Sequence, residues 1–238
     1  EHLMDAIAQC EQISVEHSLA AESAPWQIIF RKEVFSPWYN PMVDPRASQL
    51  IRKQIISSLS FGEFPNVSDS KLANFAAQEL TIQYGATWNA DAAAKVVREI
   101  VPEAKRKAEG PEAWNQKVKA ALEKLKKENQ LWKTSISSEQ VQAHMLRQCR
   151  KEFTLPFSRF FQTRPVSRDA KFLSSEGAEM LIAVNWMGVF IVTTSETILA
   201  NIRFSEIRQI ELIRNVRDIP YGFTLETVQE KSFQFICN

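Results

Sequence analysis

The sequence predicts an α+β fold in which the helices and the strands occupy separate parts of the chain. Ten of its fifteen phenylalanines lie at or after Phe153, whereas the stretch before it is rich in Ala, Lys and Glu. Apolar residues recur with helical spacing before this point and with a period of two from residue 157 onward. A block of helices followed by a block of strands is typical of segregated α+β lobes and not of a repeating βαβ sheet.

The N-terminal part of the chain contains one predicted helix and one predicted strand. Residues 2–17 carry apolar side chains at helical spacing and predict a weak helix. Residues 26–35, with the sequence WQIIFRKEVF, are rich in β-formers and have a proline on either side. This pattern predicts a half-buried strand.

Two helices follow, each with recognisable end signals. Asp44 and Pro45 supply an N-cap and a first-turn proline. The apolar positions after them predict the buried face of the first helix: Ala47, Leu50, Ile51, Ile55 and Leu59. Asp69 is the predicted N-cap of the second helix, which is expected to stop near Gly85.

Three more helices are predicted before the strands begin. A short one spans about residues 91–101 and ends at Pro102. Residues 112–128 have the clearest amphipathic pattern, with Trp114 at the start of the apolar stripe. The spacing Ser137-x-x-Gln140 predicts a capping box at the start of the last helix.

Seven short strands are predicted in the C-terminal third, and Gly188 is expected to serve the first tight turn. Antiparallel strands of this number and length suit a small sandwich or a partly open barrel. The predicted strands are Phe157–Thr163, Glu179–Trp186, Gly188–Thr194, Thr197–Arg203, Glu206–Ile213, Tyr221–Val228 and Ser232–Cys237.

Composition excludes several functional classes. The 238 residues carry 29 Lys and Arg against 28 Asp and Glu, so the basic excess of a dedicated nucleic-acid binder is missing. No apolar run approaches the roughly 20 residues needed to span a bilayer. Cys10, Cys149 and Cys237 lack motif spacing and predict free thiols in a reducing compartment.

Motifs for catalysis and cofactor binding are also missing from the sequence. The two closest of the six glycines are 11 positions apart, which rules out a phosphate-cradling glycine loop. The three histidines form no HExxH or zinc-ligand pairing, and there is no GxSxG nucleophile elbow. We therefore expect no enzyme active site, no cofactor and no metal in this chain.

An ordered set of motifs connects the chain to a known family. In chain order they are Met4–Gln12 (MDAIAQCEQ), Trp26–Trp38 (WQIIFRKEVFSPW), Leu72–Leu80 (LANFAAQEL), Gln83–Gly85 (QYG), Leu155–Phe161 (LPFSRFF), Ile182–Phe190 (IAVNWMGVF) and Leu199–Ile207 (LANIRFSEI). Together they resemble a FERM domain and, among FERM domains, the C-terminal tail module of a class VII unconventional myosin.

The resemblance implies a cloverleaf of three lobes, of which this chain would hold two and part of a third. Residues 1–40 would be the end of the ubiquitin-like lobe, and residues 41–154 the helical, acyl-CoA-binding-protein-like lobe. Residues 155–238 would be a pleckstrin- or phosphotyrosine-binding-like lobe without its closing helix. The chain would then be a fragment of a longer module.

The resemblance also implies a function. It predicts a cargo- or adaptor-binding and autoregulatory module of an actin-based motor, with adaptor proteins, cargo proteins and the parent motor head as partners. It places the protein in the cytoplasm on the cytoskeleton, in actin-rich protrusions. The main alternative is a membrane–cytoskeleton linker of the ezrin/radixin/moesin type that binds phosphoinositides and membrane-protein tails. A third is a FERM-bearing phosphatase or kinase with its catalytic domain elsewhere.

Basic residues in the helical part are candidates for contact with an acidic phospholipid surface. Residues 95–133 contain eleven Lys and Arg against six Asp and Glu. Lys105, Arg106 and Lys107 form the single basic triplet and lie in a predicted loop. The simpler interpretation is a solvated helix face on which charges of both signs alternate.

Three arginines in the strand region are the other charged candidates. Arg208, Arg214 and Arg217 lie on or just after the predicted fifth strand. The resemblance implies that basic positions in this lobe fold the tail back on the motor head. Charged side chains also protect an edge strand from unwanted pairing. A third use of such an edge is β-augmentation by a cargo peptide.

Tryptophans divide into predicted core residues and predicted contact residues. Trp26, Trp114 and Trp186 fall in phase with apolar faces, so they are expected to pack in the core. Trp38 is expected to pack between lobes. Trp132 lies out of phase with the preceding amphipathic stripe and is a candidate partner contact.

Overall fold

A computed structural model describes residues 3–17, 31–64, 67–128, 136–153, 155–166, 179–195 and 197–237. The chain divides into two compact units, residues 1–31 and residues 32–238. In the first unit, helix α1 spans Leu3–Glu16, which confirms the predicted N-terminal helix.

The second unit begins with a segment, residues 32–41, that is not the predicted strand. Within the described residues 31–36 no strand forms, and residues 26–30 lie outside the described part of the chain. The Gln54 side chain accepts from the backbone N–H of Lys32 at 2.8 Å and donates to its carbonyl at 3.1 Å, so Lys32 bonds to a side chain and not to a strand. Phe35 turns into the helical core, where 2% of its surface is exposed.

Six helices lie in the described residues of the helical part of this unit. They are α2 (Pro45–Ser60), α3 (Asp69–Tyr84), α4 (Ala90–Ile100), α5 (Glu103–Glu109), α6 (Pro111–Glu128) and α7 (Ser138–Glu152). The predicted helices are confirmed, while α5 lies where a loop was expected.

Local capping explains where several of these helices begin. The Asp44 carboxylate accepts from the backbone N–H of Ala47 at 2.9 Å, as the Asp44-Pro45 signal predicts. Both hydrogen bonds of the capping box between Ser137 and Gln140 are present. The predicted cap of α3 is wrong by one residue, because Ser68 is the N-cap and Asp69 is the first helical residue.

The helical core is built around aromatic and aliphatic side chains that the periodicity largely predicts. Trp114 is fully buried on α6, and α7 buries Val141, Met145 and Cys149 as predicted. Leu50 is the exception on α2. It is 62% exposed, because the face of α2 that packs on the core runs through Ser48 and Arg52 instead.

A charged pair is buried within this core. Arg52 donates through Nη1 to the carboxylate of Glu79, and the Glu79 side chain has no exposed surface. The Gln83 amide also donates to Glu79, at 2.6 Å. A buried charge of this kind is tolerated only with such partners.

The described residues of the C-terminal part form one curled antiparallel sheet of seven strands in the order β4-β3-β2-β1-β7-β6-β5. Ile202 on β4 and Leu225 on β6 belong to one buried cluster, so the sheet wraps around a single core as a partly open barrel. The strands are β1 (Arg159–Pro165), β2 (Met180–Asn185), β3 (Gly188–Thr193), β4 (Ile198–Arg203), β5 (Ile207–Arg214), β6 (Pro220–Thr227) and β7 (Ser232–Cys237).

Glycine is required at position 188 mainly because β3 and β4 approach each other closely there, and less because of the turn. Gly188 is paired with Arg203 of the neighbouring strand, and a Cβ at this position would overlap the carbonyl oxygen of Ile202. Trp186 and Met187 form the turn between β2 and β3. A side chain at position 188 would therefore force β3 and β4 apart.

Candidate functional site

The strand β5 is a free edge of the sheet. In the described sheet it is hydrogen-bonded only to β6, through a register with shifts between Ile207 and Gln209 and between Ile213 and Arg214. The opposite side of β5 therefore presents backbone N–H and C=O groups that another strand can pair with.

Two apolar side chains on β5 are exposed although they lie on the face of the sheet that points to the core. Ile210 is paired with Leu225, and Leu212 is paired with Phe223. Directly opposed residues share one face of a sheet, and Leu225 and Phe223 pack in the barrel core. Ile210 and Leu212 are nevertheless 55% and 57% exposed. The core-facing side of the barrel is thus open along β5.

The predicted arginines lie at the ends of this apolar stripe and in the following turn. Arg208 is exposed at the start of β5. Arg214 ends the strand and is engaged locally: its Nη1 donates to the Asp218 carbonyl at 2.8 Å and lies 3.6 Å from the Asp218 carboxylate. Arg217 is exposed in the β5–β6 turn. Of the three, Arg214 also has a structural role, because it closes the hairpin.

The turn that carries Arg217 is fixed by an asparagine. The Asn215 carboxamide oxygen accepts from the backbone N–H groups of Arg217 at 2.9 Å and of Ile219 at 3.1 Å. Asp218 takes a positive φ of 60°. This geometry leaves Val216 fully exposed beside Arg217 at the tip of the hairpin.

The basic triplet is not the loop patch that the sequence predicts. Lys105, Arg106 and Lys107 lie on α5, and the three side chains point to different partners. Lys105 donates to the Asp69 carboxylate at 2.5 Å and to the Val67 carbonyl at 3.2 Å. Arg106 donates through Nε to the Val101 carbonyl at 3.0 Å, and Lys107 pairs with Glu103 at 2.7 Å. The helix thus disperses the triplet, which weakens the phospholipid interpretation.

The tryptophan predictions have mixed outcomes. Trp114 and Trp186 pack in the helical core as expected. Trp38 is 83% exposed, so in the described residues it does not pack between the helical part and the sheet, and its packing between lobes stays a prediction. Trp132 and Trp26 lie outside the described residues. The sequence does not distinguish Ile210 and Leu212 as contact residues, because their period-two pattern is that of any half-buried strand.

Two titratable side chains in the helical part, Cys149 and His144, have pKa values shifted by burial. Burial raises the pKa of the Cys149 thiol, and a raised pKa disfavours the nucleophilic thiolate. Burial lowers the pKa of His144, whose Nδ1 lies 2.9 Å from the Gln78 carboxamide oxygen. Within the described ranges no group of three or more His, Cys, Asp or Glu is placed to hold a metal ion. None of the helices described here is long and apolar enough to cross a membrane.

Sequence comparisons connect the chain to one group of motor proteins. Residues 157–238 match a family model of the myosin VII FERM C1 lobe, described as "Myosin-X FERM PH domain-like". Unconventional myosin-VIIb of Mus musculus is 31% identical over 238 residues, which is 99% of this chain and 11% of the mouse protein. The chain thus spans about a tenth of the length of this relative.

Structural comparisons give the same fold. The MyTH4-FERM MF2 domain of Dictyostelium discoideum myosin VII has a TM-score of 0.62 at 15% identity and covers 98% of this chain and 42% of that one. The C-terminal MyTH4-FERM domain of human myosin 7b, solved in complex with the harmonin-a PDZ3 domain, has a TM-score of 0.50 at 17% identity. The match covers 96% of this chain and 43% of the human chain. In sequence and in fold, this chain is similar to the FERM modules of class VII unconventional myosins.

Proposed function

We propose that this chain is part of a cargo- and adaptor-binding, autoregulatory tail module of an actin-based unconventional myosin, and that it acts by protein–protein binding without catalysis. The mouse relative is an unconventional myosin, and the human myosin 7b domain binds a PDZ domain. The observation that carries the proposal is the free edge of β5, where exposed apolar side chains lie beside unpaired backbone groups.

The lobe boundaries belong to the same proposal. Residues 1–40 would be the end of a ubiquitin-like lobe, residues 41–154 the helical lobe and residues 155–238 the pleckstrin- or phosphotyrosine-binding-like lobe. The protein would work in the cytoplasm on the actin cytoskeleton, in actin-rich protrusions. Its partners would be adaptor or cargo proteins and the parent motor head.

Binding at β5 would proceed by addition of an extended peptide to the sheet. The peptide backbone would pair with the free edge, and alternate side chains of the peptide would cover Ile210 and Leu212. Covering a half-exposed Leu or Ile removes apolar surface from water, which is the main favourable contribution at such a site. The charges of Arg208, Glu211 and Arg214 would set which sequences are accepted.

The charge pattern of β5 also opposes pairing with a second copy of itself. Residues 208–214 read RQIELIR, which is nearly symmetric about Glu211. An antiparallel copy centred there would place Glu211 against Glu211 and Arg208 against Arg214. Like charges directly opposite are destabilising in a sheet. A peptide with acids at both ends and a base in the middle reverses each of these contacts.

The test uses two capped peptides and the 238-residue chain. The complementary probe is Asp-Thr-Ile-Lys-Val-Thr-Asp, and the control Lys-Thr-Ile-Glu-Val-Thr-Lys has every charge reversed. We expect the complementary probe to bind at least about tenfold more tightly in a fluorescence-polarisation titration, because each well-placed charge pair contributes up to about 1 kcal/mol. Leu212→Asp should weaken binding of the complementary probe at least about tenfold, since it removes an apolar contact.

Ile198→Asp is the matched control, because Ile198 is 43% exposed on β4, the other edge strand. It should leave the affinity within about twofold of the unsubstituted chain, since a surface change away from the site has little effect. Equal affinity for both peptides, or full binding by the Leu212 variant, would contradict peptide addition at β5.

A further inference from the structure

A groove in the helical part has no role in the function proposed above. It lies between the end of α4, helix α5 and the start of α6, and its volume is about 530 Å³. Its lining includes Ala94, Val97 and the indole of Trp114. Val97 and Trp114 are 4% and 0% exposed, so they lie beneath the groove, and its accessible apolar lining includes Ala94 and Pro111.

Two arginines on the rim of this groove carry charges that the described residues do not neutralise. Arg98 donates through Nε to the Ala94 carbonyl at 3.3 Å, and Arg106 donates through Nε to the Val101 carbonyl at 3.0 Å. Neither guanidinium forms a salt bridge with any carboxylate in the described part of the chain. The terminal Nη groups of both side chains therefore remain available in the same groove.

The carboxylate of Glu103, which also lines the groove, does not neutralise the two arginines. Glu103 is held by Lys107 at 2.7 Å across one helical turn. Lys107 is the main cause of the lowered pKa of Glu103, and Arg106 adds a smaller attraction. With Glu103 and Lys107 compensating each other, Arg98 and Arg106 leave the groove with an excess of two positive charges.

A buried acceptor in the same groove lacks a donor. The carboxamide oxygen of Asn115 is shielded from solvent and has no hydrogen-bond partner among the described residues. A buried acceptor without a donor is unfavourable, so rotation of the Asn115 side chain toward a ligand N–H would stabilise the complex. Backbone N–H groups of a peptide provide such donors at regular intervals.

We propose that this groove binds an acidic peptide segment of a partner protein, with an apolar side chain against Ala94 and Pro111 and carboxylates on Arg98 and Arg106. The planar guanidinium fork matches a carboxylate with two parallel hydrogen bonds. The concave shape and apolar lining favour a side chain over a flat bilayer surface, which is recognised by clusters of protruding basic residues. This binding is independent of the peptide site at β5.

The test is a titration of the ¹⁵N-labelled 238-residue chain with four capped peptides, Glu-Glu-X-Glu-Glu, where X is Leu, Ile, Phe or Trp. Binding is followed through the Trp114 indole N–H and the backbone signals of residues 94–115. At least one peptide should produce saturating shifts there, and its Gln-Gln-X-Gln-Gln analogue should bind at least about tenfold more weakly.

Variants separate this site from general electrostatics. Arg98→Gln with Arg106→Gln should weaken the best peptide at least about tenfold, and Arg106→Lys should cause a smaller loss because it keeps the charge without the fork. The charge-matched control, Lys95→Gln with Lys127→Gln, removes two exposed lysines that do not line the groove and should change the affinity by less than about twofold. Circular dichroism and thermal unfolding establish that each variant is folded.

Several results would overturn the proposal. These are no saturating shift with any of the four peptides, equal binding of the Gln analogues, or unchanged binding by the double arginine variant. The last experiment is co-sedimentation with phosphatidylserine vesicles. We expect no vesicle binding that depends on Arg98 and Arg106. Vesicle binding lost in the double variant, together with no peptide binding, would make the groove a lipid site instead. The Leu212→Asp variant should retain peptide binding here, so failure at β5 and failure in the groove are distinguishable.

Discussion

Asp69 illustrates how a residue with a simple local signal acquires a tertiary role. Its position predicts a helix cap, yet its carboxylate accepts from Lys105 at 2.5 Å and from Lys117 at 2.9 Å. These hydrogen bonds, with that from Lys105 the larger contribution, hold the pKa of Asp69 well below its usual value of 3.8. The carboxylate thereby joins α3 to α5 and α6.

This geometry predicts a pH-dependent contribution to stability. The folded pKa of Asp69 is depressed, so the contribution is present above the unfolded pKa near 3.8 and is lost as the pH falls toward the folded pKa. The Asp69 side chain is 31% exposed, so solvent screening limits the expected loss in Asp69→Asn to about 1 kcal/mol at pH 6.5. Urea unfolding at pH 6.5 and pH 3 measures both values.

The matched control is Glu123→Gln, which removes an exposed pair with Lys126 at 3.2 Å. Its effect on the free energy of unfolding should stay within about 0.5 kcal/mol at both pH values. A difference between Asp69→Asn and the unsubstituted chain that is as large at pH 3 as at pH 6.5 would show that the ion pairs do not stabilise the fold.

At the scale of elements, Arg150 on α7 connects parts of the fold that the chain order separates. Its guanidinium lies 5.1 Å from the ring centre of Phe35 and 4.7 Å from that of Trp186. It also donates to the carbonyls of Ser36 and Tyr39, each at 3.3 Å. The Arg150 side chain therefore connects α7 to segment 32–41 and to the turn between β2 and β3.

We expect Arg150→Ala to loosen these three elements together. The loss of charge-assisted hydrogen bonds and cation–π contacts should lower the free energy of unfolding by about 2–4 kcal/mol. Hydrogen exchange should increase in segment 32–41 and in the β2–β3 turn, as measured by mass spectrometry.

The control for this prediction is Arg147→Ala, on the same helix but exposed. It should leave exchange in segment 32–41 and in the turn unchanged. Equal protection of both regions in the Arg150 variant would mean that the aromatic contacts of Phe35 alone hold the segment, through Phe157 at 4.6 Å between ring centres.

At the scale of the whole molecule, we propose that partner binding is coupled to whether the parent motor is compact or open. A partner that occupies the β5 edge can release a folded-back tail only if it binds the open state more tightly than the compact one. The exposed arginines at the two ends of this edge are the proposed contacts with the head. Arg217 is the better site for a substitution than Arg214, because Arg214 also closes the hairpin through Asp218.

Arg208→Ala with Arg217→Ala in the full-length parent myosin should therefore raise its actin-activated ATPase rate. If the tail contact contributes 1–3 kcal/mol of coupling, the increase would be roughly 5- to 150-fold when the compact state dominates. Lys231→Ala is the control, since Lys231 is exposed in the turn between β6 and β7. An unchanged ATPase rate in the double variant would refute the autoregulatory part and leave peptide binding at β5 as a separate question.

Structural features that depend on residues close together in the chain could be predicted from the sequence. The capping box at Ser137 and the Asp44-Pro45 start are local hydrogen-bonding patterns, and they appear as predicted. The helices and the seven strands follow from the period of apolar residues, which reflects one buried face on each element. The FERM resemblance rests on the order of several such motifs, and the fold agrees with it.

Features that depend on distant contacts could not be predicted in this way. The apolar pattern of segment 26–35 suits a strand, but in its described part Phe35 packs among rings from residues far along the chain. The sequence predicts that the basic triplet forms one surface. In the structure the three side chains lie on α5 and contact Asp69, Val101 and Glu103.

The sequence by itself determined the separation of helices from strands, most element boundaries and the resemblance to class VII myosin FERM domains. Only the tertiary structure decided which faces stay open, such as Ile210 and Leu212 on β5, and which charges stay uncompensated, such as Arg98 and Arg106. The physical reason is that periodicity records which side of an element is apolar. Exposure and charge compensation instead depend on what the rest of the chain brings to that side.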